Sequence, residues 1–237
     1  MKSVKFRMIA IALLSAAMPF TAKAQDKVEA SVGADFVSNY IWRGTDCGGV
    51  SIQPSMGVSY KGLSLAAWGS VGIDKEDARE IDLTLGYNTG GFNVSVTDYW
   101  FSYHKEDGGY TGDYFKYGAH STIHIFEATL GYDFGPLALS WNTYFAGDDY
   151  TKENGDRAYS TYVGISAPFK LGGLDWSAEV GLTPWEGAYA NKFNVTNLTL
   201  KAEKEIKFTN SFSLPTFAQV TFNPHTQGAY FVFGVSF

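Results

Sequence analysis

Apolar and polar residues alternate one by one along nearly the whole of this chain, and that period fixes its secondary structure before any other feature does. Val50, Ile52, Pro54, Met56, Val58 and Tyr60 fall on one face, with Ser51, Gln53, Ser55, Gly57 and Ser59 on the other. Leu174, Trp176, Ala178, Val180 and Leu182 alternate with Asp175, Ser177, Glu179, Gly181 and Thr183. The last residues do the same, with Ala229, Phe231, Phe233, Val235 and Phe237 set against Tyr230, Val232, Gly234 and Ser236. A period of two is the signature of a strand with unlike faces, and no long window shows the spacing of three and four that a helix needs. The chain is expected to be all-β.

Twelve such segments are read: 31–43, 50–60, 63–73, 80–88, 92–103, 120–133, 137–146, 158–169, 174–183, 195–206, 212–223 and 229–237. Tight turns at 61–62, 89–91, 134–136, 170–173 and 207–211 alternate with longer links at 44–49, 74–79, 104–119, 147–157, 184–194 and 224–228. Transmembrane barrels of the bacterial outer membrane have this layout, with an even number of strands, short periplasmic turns and longer extracellular loops. A sheet inside a bilayer must close on itself, because no water is there to satisfy an open edge. The expected fold is therefore a closed antiparallel transmembrane β-barrel of about twelve strands, apolar face to lipid and polar face inward.

The ends of the chain agree with this destination. Lys2, Lys5 and Arg7 precede a mostly apolar stretch from Met8 to Phe20, and Ala22-Lys23-Ala24 offers small residues at the positions a signal peptidase reads. The apolar stretch is too short for a membrane-spanning helix, which takes roughly 20 residues. Residues 1–24 are expected to be a cleaved signal peptide and 25–237 a single barrel domain. At the other end, an alternating strand that finishes on aromatic Phe237 matches the signal read by the outer-membrane assembly machinery. Aromatics also gather at segment ends, as interfacial girdles require: Trp42, Trp100 and Trp141 toward the long links, and Tyr60, Tyr87, Phe92, Tyr132 and Phe169 toward the short turns.

Composition excludes several classes. Of 18 Lys and Arg residues, four lie in the first 24, which hold no acids; the mature chain keeps 14 bases against 24 acids. Phosphate backbones need clustered Lys and Arg, so nucleic acid is not an expected partner. The single cysteine, Cys47, rules out an intramolecular disulfide. The partners expected instead are outer-membrane lipids including lipopolysaccharide, the barrel-assembly machinery and small polar solutes.

The stretch 30–103 resembles the TorF-like porin family of Gram-negative bacteria. Ser38-Asn39-Tyr40-Ile41-Trp42-Arg43-Gly44 is similar to that family's first-strand motif, and Pro54, Trp68-Gly69-Ser70 and Glu80-Ile81-Asp82 follow in the family's order. Beyond residue 103 the likeness is one of pattern. The resemblance implies an outer-membrane location more firmly than it implies a solute.

Projecting the alternation inward gives Asp35, Asp82, Asp98, Glu127, Asp175, Glu179 and Glu203, against Arg43 and Lys201, as the lumen-lining set. Most other inward positions are small and polar. Eight strands leave only room for side chains and 16 to 18 enclose an aqueous channel; twelve lie between. Rings of carboxylates select cations. The expected function is a narrow porin or channel for small polar or cationic solutes, the alternative a structural or adhesive surface barrel with no transport. Arg43, at the outer end of the first segment, either narrows the pore and meets solute or pairs with an interior carboxylate.

An outer-membrane lipid hydrolase is the third reading, since His120 and His124 lie four apart in one segment near Ser121 and Thr122. Along a strand they stand roughly 13 Å apart, too far to share a metal, and no Gly-x-Ser-x-Gly elbow is present. No catalytic residue, metal ligand or cofactor is expected. The acidic link 147–156 reads as a solvated loop, because it lacks the spacing of a calcium loop. Asn194-Val195-Thr196 and Asn197-Leu198-Thr199 match a glycosylation pattern by chance.

Overall fold

The computed structural model describes residues 27–105, 111–209 and 212–237. The signal-peptide reading, with its cleavage before Gln25, falls outside them. Among these described residues fourteen strands form: β1 (Glu29–Val37), β2 (Tyr40–Trp42), β3 (Thr45–Gly48), β4 (Ser51–Tyr60), β5 (Leu63–Gly72), β6 (Arg79–Thr89) and β7 (Phe92–Ser102) in the first half. The second half holds β8 (Ile125–Asp133), β9 (Ala138–Gly147), β10 (Thr161–Leu171), β11 (Leu174–Thr183), β12 (Asn194–Lys207), β13 (Ser213–Asn223) and β14 (Gly228–Ser236). Twelve of them, β1 and β4 to β14, close into an antiparallel barrel, and β2 and β3 make a separate two-stranded sheet.

Each wall strand pairs with its sequence neighbour, and closure comes from β1 against β14, with Asp35 opposite Ser236, Phe36 opposite Val235 and Val37 opposite Gly234. Phe237 completes the seam, its N–H donating to the Ala34 carbonyl (2.9 Å) and its carbonyl accepting from the Ala34 N–H (3.3 Å). Among the described residues the seam runs from Ala34 to Val37 and closes the wall, as a sheet in hydrocarbon requires.

The two faces of the wall are the reverse of a soluble barrel's. Met56 (59%), Leu65 (54%), Leu85 (59%) and Phe231 (71%) are exposed on the outside, whereas Gln53, Thr97, Glu127, Asn142 and Thr221 are buried inside. Side chains of the first kind ordinarily make cores, so a continuous belt of them belongs against lipid. Tyr60, Tyr87, Phe92, Tyr132 and Phe169 stand exposed near the short turns, where girdle aromatics sit. Phe169 stacks on Trp176 near that end, and Trp141 meets Trp185 near the other.

Two segment boundaries differ from the sequence reading by more than three residues. The first strand does not run to residue 43. It leaves the wall after Val37, and Tyr40–Trp42 turns into the barrel as β2. Asn39 closes this hairpin's base through its amide, donating to the Gly48 carbonyl (3.0 Å) and Asp46 (3.1 Å). At its tip Arg43 and Gly44 both have positive φ, 51° and 80°, as a two-residue hairpin turn of the primed type demands. The other difference is β8, which begins at Ile125 rather than at 120. His120 and His124 therefore share no strand face.

Candidate functional site

The β2–β3 hairpin turns into the lumen, its tip seated on β13 and β12, two and three strands round the wall from β1, while Arg43 reaches β8. Asn223 of β13 donates to the Gly44 carbonyl at 3.0 Å. A Cβ at Gly44 would run into the Thr196 carbonyl of β12, so only glycine lets the tip approach so closely. Near the base, Asp77 from the loop after β5 accepts the Gly49 N–H at 3.2 Å, and Tyr40 packs its ring on Trp68 of β5.

Arg43 is the centre of the plug. Its guanidinium makes a two-pronged pair with Glu127 of β8, at 2.6 and 2.9 Å, and also donates to the Tyr189 hydroxyl. Arg43 and Glu127 are both fully or nearly buried. The guanidinium carbon lies 4.3 Å from the Trp42 ring centre and 4.7 Å from that of Tyr162, within cation–π range. A planar fork suits this place, because it pairs with a carboxylate in two bonds and still presents flat faces to aromatic rings.

Hydrogen bonds spread outward from this pair. Tyr99 donates to Glu127 at 3.0 Å, and Tyr189 donates to Tyr144 at 3.1 Å. Burial pushes the Tyr189 phenol up to about 12, against the opposing pull of Arg43, so it remains a donor at neutral pH. Tyr162 donates to Glu179, which also accepts from Asn197 at 3.1 Å. Tyr99, Tyr144, Tyr162 and Tyr189 form one buried cluster, with Trp42, Phe101 and Ile125 packed against it. Tyr189 comes from the loop between β11 and β12, so two long-loop segments meet inside the barrel.

Below this layer, toward the short turns, Ser55, Gly57, Ser59, Ser64, Ser95, Ser140 and Ser166 are only half-buried. The interior is thus lined mainly by small polar residues toward the short turns, with Lys201, Glu203 and Phe217 among them, and filled by larger side chains in the layer of Arg43.

Glu127, Glu179 and Asp82 are inward and buried, as read from the sequence, and Glu80 joins them. Strict parity with Asp82 would have found Glu80. Asp35, Lys201, Glu203 and Asp175 also face inward but away from the plug. Lys201 pairs with Glu203 at 2.7 Å and lies over Phe217, and Asp175 pairs with Lys170 at the rim. Arg43 belongs to the hairpin tip rather than to the wall. Trp42, read as a girdle residue, lies inside with it.

Asp98 corrects the inward set. Val94 and Val96 of the same strand are exposed on the outside, and Asp98 shares their parity. It meets His124 at 2.6 Å and Tyr117 at 3.2 Å, beneath the segment 112–124 that folds over the barrel's exterior. The other nitrogen of His124 lies 2.7 Å from the Tyr114 carbonyl. The polar side chain drew Asp98 inward in the sequence reading, but the strand's parity decides its face.

The tyrosines of the plug were missed because aromatics in such a chain are expected at girdles. For Tyr99 a signal was present in its parity with Thr97. For Tyr189, in a loop, there was none.

No protein-family model and no curated protein matches this chain. Among solved structures, it is similar to the crystal structure of BamA from Haemophilus ducreyi lacking POTRA domains 1–3, at 11% identity and a TM-score of 0.38. The match covers 81% of this chain and 41% of that one, so the chain spans less than half the length of that structure.

Proposed function

We propose that this chain is an outer-membrane channel for small polar or cationic solutes, held shut in this conformation by its own β2–β3 hairpin. The observation that carries the reading is the hairpin's independence. It shares no ladder with the wall, so it can leave the lumen without breaking the barrel. Small polar residues lead up to it from the short-turn side, and buried carboxylates outnumber the one guanidinium in its layer. Such a lining favours cations over anions. The resemblance to TorF-like porins over 30–103 supports the same reading, as does the apolar belt for a place among outer-membrane lipids.

Reversal potentials of the purified protein in a planar bilayer under a KCl gradient test it. Brief openings with cation preference are expected, and Glu127→Gln should lengthen them by weakening the hold on Arg43. A silent bilayer from both proteins, with gel mobility still shifting on boiling as for a folded barrel, would contradict the channel. It would favour the second reading, a structural surface barrel, for which the completeness of the plug speaks.

A further inference from the structure

The plug is built around a cation, and that cation is supplied by the chain itself. Glu127 offers both carboxylate oxygens to one guanidinium. Tyr162 and Tyr189 turn their rings to it at 4.7 and 5.7 Å, and the Tyr189 hydroxyl accepts from it. Glu127 and Tyr162 belong to the wall and Tyr189 to a separate loop, so they stay behind when the hairpin departs. What remains is a buried carboxylate that keeps the Tyr99 hydroxyl but loses both guanidinium prongs, among tyrosine faces, and leaving such a charge short of donors is costly. Glu179, which accepts from the Tyr162 hydroxyl, adds a second acid.

We infer that this cage is the recognition site of the channel, that Arg43 occupies it as an internal stand-in, and that the solutes it takes are small organic cations bearing a guanidinium group. The inference rests on the channel reading for its biological use, but the cage itself can be tested without any conductance. A guanidinium fits because it alone among common cations is flat, carries paired donors at carboxylate spacing and stacks on rings. Inorganic cations match the charge but neither the fork nor the ring faces. The hairpin and the solute then compete for one carboxylate, so solute binding favours the open lumen.

The test is ligand rescue in full-length protein refolded in detergent. Arg43→Ala should lower the unfolding temperature, and millimolar methylguanidinium should restore most of the loss in a saturable manner, with sodium and tetramethylammonium ineffective. Adding Glu127→Gln should weaken methylguanidinium binding by roughly tenfold or more, as expected when a charge-assisted fork becomes a neutral contact. If the alanine variant does not fold, Arg43→Gln, which keeps part of the stem but not the charged fork, gives the same comparison. Equal effects of all three cations, no saturable effect, or rescue that survives Glu127→Gln would overturn the cage. Rescue as expected together with silent bilayers would keep the cage and remove the channel.

Discussion

Arg43 and Glu127 show at the scale of single residues how a polar interior is held together. Two charges taken out of water are stable only while they satisfy each other, and removing one partner of such a pair costs about 3–5 kcal/mol. Glu127→Gln should therefore lower stability by that order in denaturant unfolding of the detergent-folded barrel, while Glu203→Gln, in a more open pair, should cost far less. The sequence allowed Arg43 to pair with an interior carboxylate, but it could not name Glu127, 84 residues away. Asp98 shows the opposite difficulty. Its charge argued for the lumen, its parity for the exterior, and the structure follows parity because His124 and Tyr117 supply polar partners outside. Asp98→Asn should leave the reversal potential unchanged in a KCl gradient, whereas Glu179→Gln should shift it toward zero. An equal shift from both would contradict the assignment of faces.

Among the elements, the twelve wall strands were legible because a period of two survives in nearly every one, and short and long connections alternate. The hairpin was not. Residues 38–43 carry on the alternation of β1 closely enough to read as its continuation, and only the turn residues Ser38-Asn39, Arg43-Gly44 and Gly48-Gly49 mark the departure. A plug folded inward is a tertiary event, decided by Glu127, Thr196 and Asn223 on distant strands.

Cys47 on β3 reports the hairpin's position. Its thiol is half-buried, and burial, with Glu80 and Asp46 near, pushes it up to about 12. Little thiolate is then present at pH 8, and the thiolate is the reactive form. Release of the hairpin returns the thiol toward its ordinary range near pH 8.5 and raises the reactive fraction. Gly44→Ala, which collides with Thr196, should speed labelling by a bulky maleimide severalfold at pH 8. An unchanged rate would mean the tip tolerates the extra carbon and the hairpin stays put.

The molecule as a whole is organised by an apolar exterior and a polar interior. The outer belt follows from that, and Leu85→Arg on it should destabilise the barrel in lipid vesicles by about 2–4 kcal/mol, with Thr84→Ser on the inner face near neutral. Phe237 matters for closure as well as for any assembly signal, since its backbone ties β14 to Ala34. The central claim is that one movable hairpin separates a closed barrel from a conducting one. Single-channel recording settles it when the wild type is compared with a protein whose residues 39–48 are replaced by a short Gly-Ser link. Brief openings in the first and a persistent, cation-preferring conductance in the second are predicted; a correctly folded hairpin-less barrel that passes no current would contradict the account.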